Sequence, residues 1–145
     1  MKKIFNSFLI VAVMASVASI SSCTKTCDAG YEGSDCKTEI RAKVIGTYRV
    51  VETCSTTGGA NYNVTITASG SDVTKVLVSP FAGYPGVTGI ISVDGTTLTI
   101  ASQTVAGYTF SGSGTINNGG TTITANYTIS DGTNSESCPG TWTKQ

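Results

Sequence analysis

Gly107-Tyr108-Thr109-Phe110-Ser111-Gly112-Ser113-Gly114-Thr115-Ile116-Asn117-Asn118-Gly119-Gly120-Thr121-Thr122-Ile123-Thr124-Ala125-Asn126-Tyr127-Thr128-Ile129-Ser130 is the stretch that decides the fold. Tyr108, Phe110 and Ile116 share one parity, as do Ile123, Tyr127 and Ile129, while Thr109, Ser111, Ser113, Thr122, Thr124, Asn126 and Thr128 take the other. Side chains alternate across a strand, so this pattern predicts two strands with one apolar and one hydroxyl-bearing face. The four residues Asn117-Asn118-Gly119-Gly120 between them tolerate positive φ and read as a hairpin turn.

The same grammar extends outward from Ile45 to the end of the chain. Strands are expected near 45–54, 60–68, 73–79, 87–93, 96–101, 104–116, 121–130 and 135–143, with further turns at Asp94-Gly95 and Asp131-Gly132. Inward parity falls on Tyr48, Val50 and Cys54; on Tyr62, Val64 and Ile66; on Val87, Ile91 and Val93; and on Leu98 and Ile100. Val73, Val76, Leu77 and Val78 leave the phase of the third strand open. The fold class is therefore all-β, an antiparallel meander of about eight strands. Closing it into a barrel removes both exposed edges.

Composition narrows the chemistry. Only 12% of the 145 residues are charged, about half the usual share, and there is no histidine. That excludes Ser/His/Asp and Cys/His nucleophile pairs and the commonest metal ligand. Nine basic residues balance nine acidic ones, which argues against nucleic acid as a partner. No catalytic residue, metal site or cofactor is assigned.

The amino terminus reads as an export address. Lys2 and Lys3 precede an apolar run from Ile4 to Ile20, followed by Ser21, Ser22 and Cys23. Ile20-Ser21-Ser22-Cys23 resembles the lipobox of bacterial lipoproteins. That resemblance implies that residues 1–22 are a lipoprotein signal peptide and that Cys23 becomes the lipid-modified first residue. Removing the first 22 of 145 residues leaves 123, with seven basic and nine acidic side chains, a mildly acidic protein held on a membrane without spanning it.

Assigning Cys23 to lipid leaves Cys27, Cys36, Cys54 and Cys138, enough for two disulfides in an oxidising compartment and open to three pairings. Local pattern favours one of them. Cys27-Asp28-Ala29-Gly30-Tyr31-Glu32-Gly33-Ser34-Asp35-Cys36 resembles the last loop of an EGF-like module, in which the outer cysteines close a small hairpin. The upstream cysteines of a full module are missing, so residues 23–40 read as a stapled spacer and no EGF-type receptor function is carried over. Cys54 and Cys138 would then join the first and last strands if these are neighbours in a closed barrel.

The barrel domain, 41–145, also carries a resemblance. Gly46-Thr47-Tyr48 looks like the G-x-W opening of lipocalin-type barrels with Tyr for Trp, and the end Gly140-Thr141-Trp142-Thr143-Lys144-Gln145 adds a terminal tryptophan. With the lipobox and the truncated loop, the chain is similar to lipocalin-like lipoproteins of Bacteroidetes-type bacteria. The resemblance implies a small barrel in the bacterial cell envelope, on the outer membrane and facing either the periplasm or the surface. It implies no reaction.

Sites are therefore sought in the barrel's interior and loops. Tyr108, Phe110, Tyr127 and Trp142 have inward parity, and the irregular segment Ser79-Pro80-Phe81-Ala82-Gly83-Tyr84-Pro85-Gly86 adds Phe81 and Tyr84 as a plug or a lid, of which a plug is favoured. These six aromatics are the candidate ligand-binding residues. Gly112 and Gly114 fall at inward positions, where they could leave room for a ligand or mark a bend. Glu52 also points inward; a mouth position near Arg49 or Lys144 is favoured over a buried acid with a raised pKa. The expected function is a membrane-anchored, non-catalytic binding module for a small apolar ligand inside the barrel or an envelope-protein partner at its loops. A structural lipoprotein with a filled barrel is the alternative, and a hydrolase ranks third.

Overall fold

The computed structural model describes residues 26–145; Cys23 and residues 1–22, read from sequence as an export signal, lie outside the described residues. Two-residue strands β1 (Tyr31–Glu32) and β2 (Thr38–Glu39) pair inside the loop closed by Cys27–Cys36. A 3-10 turn, Ile40–Val44, leads into eight strands: β3 (Gly46–Cys54), β4 (Gly58–Ala68), β5 (Lys75–Ser79), β6 (Val87–Ile91), β7 (Thr97–Val105), β8 (Tyr108–Asn117), β9 (Thr122–Ser130) and β10 (Ser135–Lys144). Each pairs with the next in antiparallel fashion, and β10 returns to β3 to close the barrel. At that seam Gly140 stands opposite Glu52 and Trp142 opposite Val50, with the Cys54–Cys138 disulfide across it. A sequence separation of 84 residues makes this cross-link worth about 4.5 kcal/mol in the chain-entropy treatment.

The alternation places the core as expected. Tyr48, Val50, Val64, Ile66, Leu98, Phe110, Ile123 and Trp142 are all buried, while Thr65, Thr99, Ser113, Thr124 and Asn126 are exposed. The third strand's open phase resolves with Val76 and Val78 inside. Two expectations fail locally. Val93 is 66% exposed because β6 stops at Ile91 and a turn takes over, in which the Asp94 carboxylate accepts hydrogen bonds from the Thr96 backbone N–H and hydroxyl. Between strands expected at 96–101 and 104–116 there is no turn: β7 runs on through a register shift between Ile100 and Gln103, and the hairpin forms at Ala106 and Gly107, with φ of 51° and 85°. An alanine at positive φ carries none of the usual turn signal, since that region favours glycine, asparagine and aspartate.

The short strands β5 and β6 make one wall low, and side chains and loops complete it. Only Ile90–Thr99 and Ile91–Leu98 pair between β6 and β7; beyond them the Gln103 amide takes over, accepting from the Thr88 backbone N–H at 2.9 Å and donating to the Thr88 carbonyl at 2.7 Å. It thus reproduces the two hydrogen bonds that a peptide group would supply to the ladder.

Antiparallel order sorts the connections to two ends. At the base, with the β4–β5, β6–β7 and β8–β9 connections, the 3-10 turn inserts Ile40 and Val44 as a cork. Arg41 is buried there, donating through Nη1 to the carbonyls of Gly70, Asp72 and Lys75 at 3.3, 2.7 and 2.9 Å and through Nε to Glu39 at 2.7 Å. Lys43 meets Glu32 at 2.7 Å, tying the stapled loop to the cork. No helix among the described residues is long and apolar enough to cross a membrane.

Candidate functional site

The opposite end, the mouth, carries the β3–β4, β5–β6, β7–β8 and β9–β10 connections. Because β5 ends at Ser79, level with Thr65 in the middle of β4, the 80–86 loop starts well below the rim and turns inward. Phe81 and Tyr84 exchange backbone hydrogen bonds of 3.0 and 2.8 Å across its tip. This drives Phe81 into the barrel axis, where it is completely buried. Its ring lies 5.7 Å from Phe110, 4.7 Å from Tyr127 and 5.9 Å from Trp142. Tyr84 packs on Tyr108 at 4.7 Å and Phe110 at 5.4 Å. The loop is the plug that the sequence favours.

The six aromatic candidates therefore converge, but they divide by depth. Phe81, Phe110 and Trp142 are fully buried and fill the interior; Tyr84, Tyr108 and Tyr127 line hollows above them. Gly112 and Gly114 leave no inner space either. A Cβ at Gly112 would stand 2.6 Å from the Tyr127 Cβ, and one at Gly114 would stand 2.8 Å from Ile123 Cγ2, so the neighbouring strand already occupies both positions.

Two hollows lie at the mouth. One of about 500 Å³ is bounded by Glu52, Tyr62, Tyr84, Tyr127, Ile129, Glu136 and the Cys54–Cys138 bridge. A smaller one of about 240 Å³ adjoins it, sharing Thr57, Tyr84, Ile129 and Glu136 and adding Tyr108 and Asp131. A third hollow, about 560 Å³, is a shallow groove on the outer wall among Val51, Ser113, Thr124 and Thr141. It is lined mostly by outward-facing residues but also touches Glu52, Gly114 and Ala125 between them.

Glu52 is the chemical centre of the mouth. It lies at the mouth, as favoured from sequence, but it is buried, 5% exposed, and neither basic candidate is its partner. Arg49 points outward, and Lys144 lies at the base, donating to the Lys43 carbonyl at 3.0 Å. The Glu52 Oε1 instead accepts from the Tyr62 hydroxyl at 3.1 Å and the Tyr127 hydroxyl at 2.9 Å; Oε2 is buried and has no hydrogen-bond partner. Burial pushes the Glu52 carboxyl above its ordinary range; the two tyrosine hydrogen bonds oppose this and the nearby Glu136 adds to it. The same desolvation raises both tyrosine hydroxyls. Glu136 is fixed at the rim by the Thr57 N–H and hydroxyl, at 3.0 and 3.1 Å.

Sequence reasoning left Tyr62 and Glu136 out of the site. The signal for Tyr62 was its inward parity on the strand paired with β3, where it lies opposite Val50. Glu136 shares the parity of Cys138 and Trp142, but its placement at the rim by Thr57 depends on where the β3–β4 turn ends. Glu52, Cys54 and Cys138 place potential metal ligands within 4.8 Å of one another, but the two sulfurs are bonded to each other and the group offers one carboxylate.

No family model matches this chain, and no curated protein matches it. Among solved structures it is similar to a redesigned β-barrel, b11L5F_LGL, with 16% identity and a TM-score of 0.52 over 73% of this chain and 95% of the other. It is also similar to EF1p2_mFAP2b bound to DFHBI, with 16% identity and a TM-score of 0.51 over 73% of this chain and 97% of the other. These likenesses establish the fold: an eight-stranded antiparallel barrel.

Proposed function

We propose that this protein is a lipid-anchored binding module of the bacterial cell envelope, without catalytic activity, that holds a small, largely apolar molecule at the mouth of its barrel. The observation that carries this reading is the cavity of about 500 Å³ walled by Tyr62, Tyr84, Tyr127, Ile129 and the disulfide, in the size range of small-molecule sites. A barrel of the same fold, EF1p2_mFAP2b, is described as bound to DFHBI, which supports the use of such a scaffold for ligand capture. The ligand rests on the plugged interior and not within it.

The lipobox at Ile20-Ser21-Ser22-Cys23 supports anchoring through Cys23, on the outer membrane. The chain enters the barrel at its base, where Gly30 packs against Val73 and the Ile40 N–H bonds to the Gly30 carbonyl at 2.9 Å. A tether at that end directs the mouth away from the membrane.

Native mass spectrometry of the protein purified from a bacterial envelope tests the binding reading. A defined adduct released on unfolding, and diminished by Tyr84→Ala, is the expected result. The packed interior favours a second reading, a structural lipoprotein without ligand. A bare mass, together with no response of an apolar fluorescent reporter, would establish that reading instead.

A further inference from the structure

Arg41 and Glu52 are the two buried charged side chains among the described residues, and of these two Glu52 alone has a buried polar atom without a partner; the other such atom, Trp142 Nε1, is neutral and on a residue that lines none of the hollows above. Glu52 lines the larger mouth cavity with one carboxylate oxygen saturated by two tyrosine hydroxyls and the other bare. A buried polar atom in that state is costly, and native proteins almost always pair it.

The surroundings state what the missing group must be. Glu136 is a second carboxylate on the same cavity, Asp131 borders the adjoining one, and neither lining contains a lysine or an arginine. The field in the mouth is therefore negative, and it repels anions. The same cavity is lined by Tyr62, Tyr84 and Tyr127, and aromatic rings suit both an apolar body and a positive charge. We infer that the mouth selects a protonated amine carried on an apolar or aromatic body, its ammonium donating to Glu52 Oε2 within the tyrosine cluster while Glu136 supplies a second negative charge. This rests on the mouth being a binding site and names the ligand class that it takes.

Three probes of one shape separate the two claims: phenethylammonium, neutral 2-phenylethanol and anionic 3-phenylpropanoate, titrated calorimetrically at pH 7.5 into the full chain in mild detergent, with detergent blanks. The amine is expected to bind at least tenfold more tightly than the alcohol, and the acid more weakly than either. Glu52→Gln should remove most of the amine's preference over the alcohol, while Glu136→Gln, at a less buried position, should lose a smaller part of it with the fold intact. The preference should also fade as pH falls and Glu52 takes up a proton. The groups facing Glu52 are Tyr62 from β4, Tyr127 from β9 and Glu136 from β10; both hydroxyls titrate far above this range.

Equal binding of alcohol and amine, or tighter binding of the acid, would overturn the amine inference and leave the binding module standing. Failure of all three probes and of an apolar fluorescent reporter would overturn both.

Discussion

The base and the mouth of this barrel each bury one charged side chain, and they treat it in opposite ways. Arg41 at the base spends its guanidinium on three backbone carbonyls and Glu39. Glu52 at the mouth is half-satisfied: two tyrosines on Oε1 and nothing on Oε2. A buried charge with no orphaned buried atom is part of the architecture. One left incomplete beside a cavity has capacity for another molecule. The base is closed by a cork on which the incoming chain is threaded, whereas the mouth is closed only to the depth of Phe81.

Four kinds of change would break or sharpen that contrast. The largest loss is expected from Cys54→Ser with Cys138→Ser, which opens the seam beside the mouth: about 4.5 kcal/mol in urea unfolding, against about 2.5 kcal/mol for removing the Cys27–Cys36 pair with its separation of 9. Equal losses would mean that the seam is not held by its long-range link. Phe81→Ala removes the plug and should cost about 4 kcal/mol. It should also deepen the mouth cavity, so an apolar reporter should bind the variant more strongly; unchanged reporter binding would show that the space collapses.

Arg41→Met comes next, at about 3 kcal/mol, because three base carbonyls and Glu39 lose their donor. Reporter binding at the mouth should be unaffected, and a parallel loss there would erase the distinction between the two ends. The smallest effect is a slope. Glu52 titrates higher in the folded chain than in the unfolded one, so folding is favoured most at pH below the unfolded value. That contribution is lost as pH rises through the interval between the two. Glu52→Gln should abolish this decline in a pH series of melting temperatures. Asp94, held at about 2 by Ser92 and Thr96, acts in the opposite direction and in a more acidic window: its contribution is present above the unfolded value and is lost as pH falls.

Much of the barrel can be read from side-chain parity. Tyr48, Val50, Phe110, Ile123 and Trp142 lie inside as alternation requires, because a two-residue period leaves only two faces to choose from. Turns were legible where residue chemistry marks them, as at Asp94-Gly95 and Asn118-Gly119, and illegible at Ala106, whose positive φ is imposed by the strands on either side. The six aromatic candidates were legible as inward-facing or loop residues, but their division into three that fill the interior and three that reach the mouth was not. Glu52's direction was legible and its partners were not, since Tyr62 and Tyr127 come from strands 10 and 75 residues away.

By itself, then, the sequence determined an all-β meander with a hydroxyl-rich exterior, its approximate strand number and the four cysteines available for two bridges. These follow from local period, turn chemistry and parity, which act over a few residues. Closure decided the rest. Joining β10 to β3 brought Cys138 to Cys54, the low wall of β5 and β6 turned Phe81 inward, and the shared interior set two tyrosines on one oxygen of Glu52 and left the other bare. Contacts between strands far apart in the chain depend on the barrel's register and diameter, which no short stretch of sequence encodes.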